Sequence, residues 1–203
     1  MIEKRTSKSG HQILRRNNAF LCSTRDPIKE AQDWVDLYKS ELQSNLYQTY
    51  FILGLGCGYK VQVLANLLPE KFIVGVESDI EIYQFNVQKF NSKYTHLKLL
   101  HADHPHDLIR HPEIAQRLKS RYFVLEDQQT THENTNLQRL KQFLLARSPE
   151  GASFFIKNNN LNDEFSIKDV PANELVGIKH INIKQDKKTE FSLTHEILEE
   201  LIK

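Results

Sequence analysis

The sequence predicts an α/β fold: a mostly parallel sheet with helices on both faces and an antiparallel hairpin at the C-terminal end. Three observations predict it. Tyr50 to Tyr83, "YFILGLGCGYKVQVLANLLPEKFIVGVESDIEIY", passes from an apolar run through a glycine loop and a helical pattern into a second apolar run that ends in an acid. Strand-like and helix-like patterns then alternate five times, as parallel strands joined by crossover helices require. The last roughly fifty residues change character, to a polar loop followed by two β-runs.

The elements follow in chain order. Met1 to Asn18 is basic and irregular, and is expected to be a loose arm, with "FLCS" (20–23) as a docking edge strand. "DPIKEAQDWVDLYKSELQ" reads as a helix: Asp26 is a suitable N-cap, Pro27 fits the first turn, and Ile28, Ala31, Trp34, Val35 and Tyr38 share one face. "YFILGLG" is a buried strand, and Val61, Leu64, Leu67 and Leu68 mark the helix after it, which Pro69 ends. "KFIVGVE" is the second strand, "IEIYQFNVQKFNSKY" a helix, and "HLKLLHAD" the third strand. "PEIAQRLKS" is helical, "RYFVLED" is the fourth strand, "NTNLQRLKQFLLARS" a helix and "ASFFIK" the fifth strand. "VGIKHINIKQDKKTEFSLT" reads as a hairpin around "QDKK" that adds an antiparallel edge to the sheet, and "HEILEELIK" as a terminal helix. The expected organisation is an arm at 1–25 and one nucleotide-binding domain at 26–203.

Composition narrows the function classes. With 27 basic and 26 acidic residues in 203, the formal charge is +1, which gives no global field for nucleic acid or an anionic membrane. Cys22 and Cys57 are far apart in sequence and form no CxxC, so neither a disulfide scaffold nor structural zinc is expected. No apolar run reaches the ~20 residues that span a bilayer, and the polar N-terminus lacks the apolar centre of a signal peptide, so the expected location is cytoplasmic.

Gly54, Gly56 and Gly58 stand where the first strand turns into the first helix. Glycine permits positive φ and close backbone approach, and the helix N-terminus offers free N–H groups to an anionic or polar ligand. Glu77 ends the second strand, 19 positions after Gly58, where dinucleotide folds place the acid that binds ribose hydroxyls. Order and spacing together predict a Rossmann-like ligand cleft.

"LGLGCGYK" with "VGVES" resembles the first two motifs of class I S-adenosylmethionine-dependent methyltransferases. The resemblance implies that Gly54, Gly56 and Gly58 hold the cofactor's amino-acid end, Glu77 its ribose and Asp103 its adenine, with the end of "YFVLED" beside the reacting methyl. Gly54 stands where that family has an acid and Lys60 where it has a third glycine. No (N/D)PP(Y/F) motif follows the fourth strand, so amino methylation of bases has no support.

A second resemblance covers Ser23 to Tyr83. "STRDPIKEAQDWVD", "GLGCGYK" and "VGVES" look like the N-terminal Rossmann-like domain of the motility accessory factor family, with Ser23, Asp26, Pro27, Glu30 and Ala31 matching its first motif. Lys60 replaces a histidine there and Ser78 a proline. That family includes glycosyltransferases using nucleotide-activated sugars, whose catalytic domain carries a G-x-G-P-S motif; this sequence has none.

"HADHPHDLIRHP" holds four of the nine histidines, but its spacing matches no standard metal motif, so no metal is expected; His104 is a candidate general base. Glu126 and Asp127, after the fourth strand, lie where open α/β sheets build active sites and are the other catalytic candidates. Cys57 reads as a small buried residue under the turn, Trp34 as core, and the lysines around "KQDKK" as edge protection; without interleaved aromatics, nucleic acid is not an expected partner. Two functions emerge: an S-adenosylmethionine-dependent methyltransferase of unknown acceptor, or a non-catalytic module related to the motility accessory domain that docks a protein partner.

Overall fold

The computed structural model describes residues 2–90, 93–171 and 174–184. The chain divides into two compact units, Met1–Gln138 and Arg139–Lys203.

The first unit opens with β1 (Ile2–Thr6), β2 (Gln12–Arg16) and β3 (Ala19–Phe20), which form a three-stranded antiparallel sheet in that order. This corrects the expected arm. Ile13 and Leu14 on β2 are fully buried, and Leu21 and Cys22 after β3 are buried as well. Each buried aliphatic side chain is worth roughly 1.5–3 kcal/mol, enough to hold a short basic hairpin in place. The alternation that signals a strand is weak in "QILRR" because both apolar residues are adjacent, which is why it reads as irregular.

Next come α1 (Pro27–Asp36) and α2 (Lys39–Gln43). Asp26 caps α1 by accepting from the N–H of Ile28 (3.1 Å) and Lys29 (3.0 Å), and Pro27 needs no N–H partner in the first turn. Then β4 (Thr49–Leu53), α3 (Tyr59–Leu67), β5 (Phe72–Glu77), α4 (Ile80–Phe90), β6 (Leu97–His101), α5 (Pro105–Arg110), α6 (Pro112–Arg117), β7 (Tyr122–Glu126) and α7 (Gln128–Thr131) follow. β4 to β7 make a parallel sheet in the order β6-β5-β4-β7. Every residue of β4 is buried, as a strand covered on both faces must be. The order is the 3-2-1-4 half of a doubly wound sheet, so the fold is α/β and Rossmann-like. Its switch point lies between the C-terminal ends of β4 and β7.

α8 (Thr135–Leu144) leads into the second unit, which holds α9 (Pro149–Asn158), β8 (Phe165–Ile167) and β9 (Ile181–Ile183). The expected fifth strand "ASFFIK" is part of α9. Ser148 caps that helix by accepting from the Gly151 N–H at 3.1 Å, and Pro149 starts it. Those signals lie just before the apolar run and override its β-like composition. An antiparallel pair is present, but β9 pairs with β8 in a two-stranded sheet of its own rather than extending the parallel one. The run after "QDKK" and the expected terminal helix lie outside the described residues. Among the described residues, no helix is long and apolar enough to cross a membrane.

Candidate functional site

The glycine loop leaves β4 at the switch point. Gly54, Gly56 and Gly58 all have positive φ, at 80°, 48° and 78°, so the turn needs residues without a Cβ. What stands beside them is the chain itself. A Cβ at Gly54 would come within 2.0 Å of Thr130 Oγ1, at Gly56 within 2.9 Å of Asp127 Oδ2, and at Gly58 within 2.1 Å of Asn86 Oδ1. Asn86 Nδ2 donates to the Gly56 carbonyl at 3.0 Å, and Lys89 Nζ to the Cys57 carbonyl at 2.8 Å. α4 therefore grips the far side of the loop.

Glu77 is fully buried. Its Oε2 accepts from the Leu55 N–H (2.9 Å), and its Oε1 from the N–H groups of Ser78 and Asp79 (3.0 Å each). Burial raises its pKa above the ordinary 4.5, and these three backbone donors oppose that rise. The carboxylate thus clamps the loops after β4 and β5 to each other.

Lys60, in the first turn of α3, turns into the crevice and places Nζ 2.6 Å from Asp127 Oδ1. Asp127 also caps α7 through the Gln129 N–H at 3.2 Å. Burial drives the Asp127 carboxyl up, while the charge and hydrogen bond of Lys60 pull it down. Trp34 on α1 covers the pair: its ring centroid is 5.8 Å from Lys60 Nζ, and its Nε1–H donates to the Glu126 carbonyl at 3.3 Å.

Residues 21–23 cross the loop as a strap. The Leu21 carbonyl faces Gly56, where an added Cβ would lie 3.1 Å from it. Glu30 Oε2 accepts from the Ser23 N–H at 2.5 Å, Ser23 Oγ accepts from the Asp26 N–H at 3.1 Å, and Gln129 Nε2 donates to Glu30 Oε1 at 2.8 Å. Ser23, Asp26 and Glu30 therefore fasten the strap to α1 and α7. The cavity left between strap, loop and Asp127 is about 10 Å³, against the roughly 300–1,000 Å³ of small-molecule sites.

The remaining candidates are dispersed. Asp103, past β6, accepts from Asn136 Nδ2 at 2.9 Å and is half-buried. His104 is exposed at the N-cap of α5, where Asp107 Oδ2 accepts from the N–H groups of Asp103 and His104. Glu126 ends β7 beside Trp34, and Asp127 belongs to the buried ion pair. Among the described residues, no group of three or more His, Cys, Asp or Glu side chains could hold a metal ion. Sequence reasoning missed Asn86, Lys89 and Thr130. For the first two a signal existed: they lie on the same face of α4 as Ile82, a polar pair at core-facing positions. Cys22 and Cys57, far apart in sequence, are neighbours with sulfurs 2.7 Å apart. No protein-family model matches the chain, and no curated protein matches it either.

Proposed function

We propose that this chain is a non-catalytic Rossmann-like binding module that docks a protein partner, akin to the N-terminal domain of motility accessory factor glycosyltransferases. One observation carries the reading: the Lys60–Asp127 ion pair occupies the switch-point crevice under the strap. A ligand cleft in this fold needs that crevice. To admit an adenosyl group, the chain has to break a buried ion pair, lift residues 21–23 and free Glu77 from three backbone donors. Each of those steps costs free energy that binding must repay.

The second reading is an S-adenosylmethionine-dependent methyltransferase. The left-handed glycines after the first strand of a 3-2-1-4 sheet favour it, with Asp103 accessible past β6. In that reading Gly54, Gly56 and Gly58 meet the cofactor's amino-acid end, Glu77 its ribose and Asp103 its adenine once the strap has withdrawn. The protein's part in transfer is to hold acceptor and methyl in line.

Calorimetric titration of the folded protein with S-adenosylhomocysteine, CMP and a nucleotide sugar separates the two. The module reading expects no heat from any of them. Micromolar binding of S-adenosylhomocysteine, lost in Glu77→Ala, overturns it in favour of the methyltransferase. Binding of CMP or the sugar nucleotide alone overturns it in favour of a nucleotide-sugar enzyme.

A further inference from the structure

We propose that Cys22 and Cys57 are a redox-active pair, which a hydroperoxide converts to a disulfide that staples the 21–23 strap to the glycine loop. The two sulfurs lie side by side whatever ligand or partner the crevice serves.

The two residues are 35 positions apart, and their Sγ atoms lie 2.7 Å from each other. A disulfide bond is about 2.05 Å long, so bonding needs the sulfurs to close by only ~0.7 Å. Independent structure holds each side. The Leu21 N–H donates to the Leu14 carbonyl at 2.9 Å, and the Ser23 N–H to Glu30 at 2.5 Å, which fixes the backbone on both sides of Cys22. Cys57 is fixed between left-handed Gly56 and Gly58, with its carbonyl held by Lys89.

The surroundings also divide the labour. Cys57 Sγ accepts from the Leu14 N–H at 3.2 Å and from the Cys22 thiol, and the ammonium of Lys89 lies nearby. Those donors stabilise a thiolate at Cys57, while Cys22 keeps its proton and donates a hydrogen bond. The thiol pKa values agree in direction. The Cys22 hydrogen bond holds Cys57 below its ordinary value against burial, and the same bond together with burial pushes Cys22 up. The cavity of about 10 Å³ borders both residues. It is too small for a bulky hydroperoxide, so hydrogen peroxide, the smallest, is the favoured oxidant.

The steps balance without another reagent. The Cys57 thiolate attacks a peroxide oxygen; an S–O bond forms, the O–O bond breaks, and the leaving hydroxide takes up the proton that Cys57 released on ionising and departs as water. Cys57 is then a sulfenic acid. The Cys22 sulfur attacks the Cys57 sulfur, the S–S bond forms and the S–O bond breaks. The departing hydroxide takes the Cys22 proton and leaves as water. Two thiols are oxidised by two electrons and one peroxide is reduced to two waters.

The test uses the full chain, reduced, folded and treated with hydrogen peroxide. It is then quenched, denatured, alkylated and weighed intact and as peptides. The expected result is a mass loss of two hydrogens, a linked Cys22–Cys57 peptide and full reversal by dithiothreitol. Cys22→Ala is expected instead to carry Cys57 on to sulfinic acid. Amide exchange at residues 21–23 and 56–58 is expected to slow at least about tenfold on oxidation, as the linked segments lose local opening. Two alkylatable thiols surviving in the wild type overturn the proposal. So does sulfinic acid forming there as fast as in Cys22→Ala, or a disulfide found only between chains. The wild-type readout decides the matter even if a variant fails to fold.

Discussion

Lys60 Nζ lies 2.6 Å from Asp127 Oδ1, and the two side chains are only 10% and 4% exposed. A charge pair this deep is costly to break from one side, because the remaining charge keeps its desolvation penalty. Lys60→Met is expected to destabilise the first unit by about 3–5 kcal/mol. Asp127→Asn, which keeps an acceptor for the Gln129 N–H, removes the charge that strands. The double variant is therefore expected to be markedly more stable than the two single losses predict. Urea unfolding of the four proteins measures this. Additivity within about 0.5 kcal/mol would mean that the pair does not form.

Glu77 gives a pH signature. Its carboxyl is raised in the folded protein, so the folded state holds its proton more tightly than the unfolded state, whose value is near 4.5. The contribution is fully present below about 4.5 and is lost as pH rises through the higher folded value. Stability measured from below that point to neutrality is expected to fall less steeply in Glu77→Gln than in the wild type. Identical slopes would contradict a raised Glu77. The variant's lower baseline does not enter, since only the slope is read.

Two glycines separate backbone strain from steric fit. Gly10 has φ +84° with nothing within 4 Å of an added Cβ, while Gly58 has φ +78° with Asn86 Oδ1 at 2.1 Å. Gly10→Ala is expected to cost only the left-handed penalty, about 1–2 kcal/mol. Gly58→Ala adds displacement of Asn86, which also holds the Gly56 carbonyl, and is expected to cost at least about 1 kcal/mol more, the net worth of a buried hydrogen bond. Equal midpoint shifts in urea would show that Asn86 gives way freely.

Glu30 fastens the strap from two directions, accepting from Ser23 N–H and from Gln129 Nε2. Glu30→Ala is expected to raise amide exchange at Ser23 and Cys22 by about tenfold or more while amides in β4 and β5 stay protected, a local opening rather than a global one. Exchange that rises equally in β4 would indicate loss of the whole unit instead.

Much of the scaffold was legible in the sequence, for a physical reason. β4 and β5 are covered on both faces, so they read as unbroken apolar runs, and α1 carries its cap and its proline in sequence order. The elements misread are those where a short run lacks periodicity. "QILRR" places its two buried residues side by side, and "ASFFIK" is apolar enough for a strand while the Ser148 cap that makes it helical lies upstream. The glycine loop and its acid were legible as a unit. Their partnership was not: Asn86 and Lys89 stand out only as polar residues on the core-facing side of α4, Thr130 carries no local signal, and nothing in the spacing ties any of the three to the loop.

The sequence by itself determined an α/β sheet whose first strand ends in a glycine loop and whose second strand ends in an acid, because buried strands, caps and positive φ are imposed by neighbouring residues. Only the tertiary structure decided what fills the crevice. Lys60, Asp127 and the Leu21–Ser23 strap meet there from three separate stretches, and a contact between residues 67 positions apart is written in chain topology rather than in any local pattern. The same reason brings Cys22 beside Cys57, a neighbourhood that neither residue's sequence surroundings reveal.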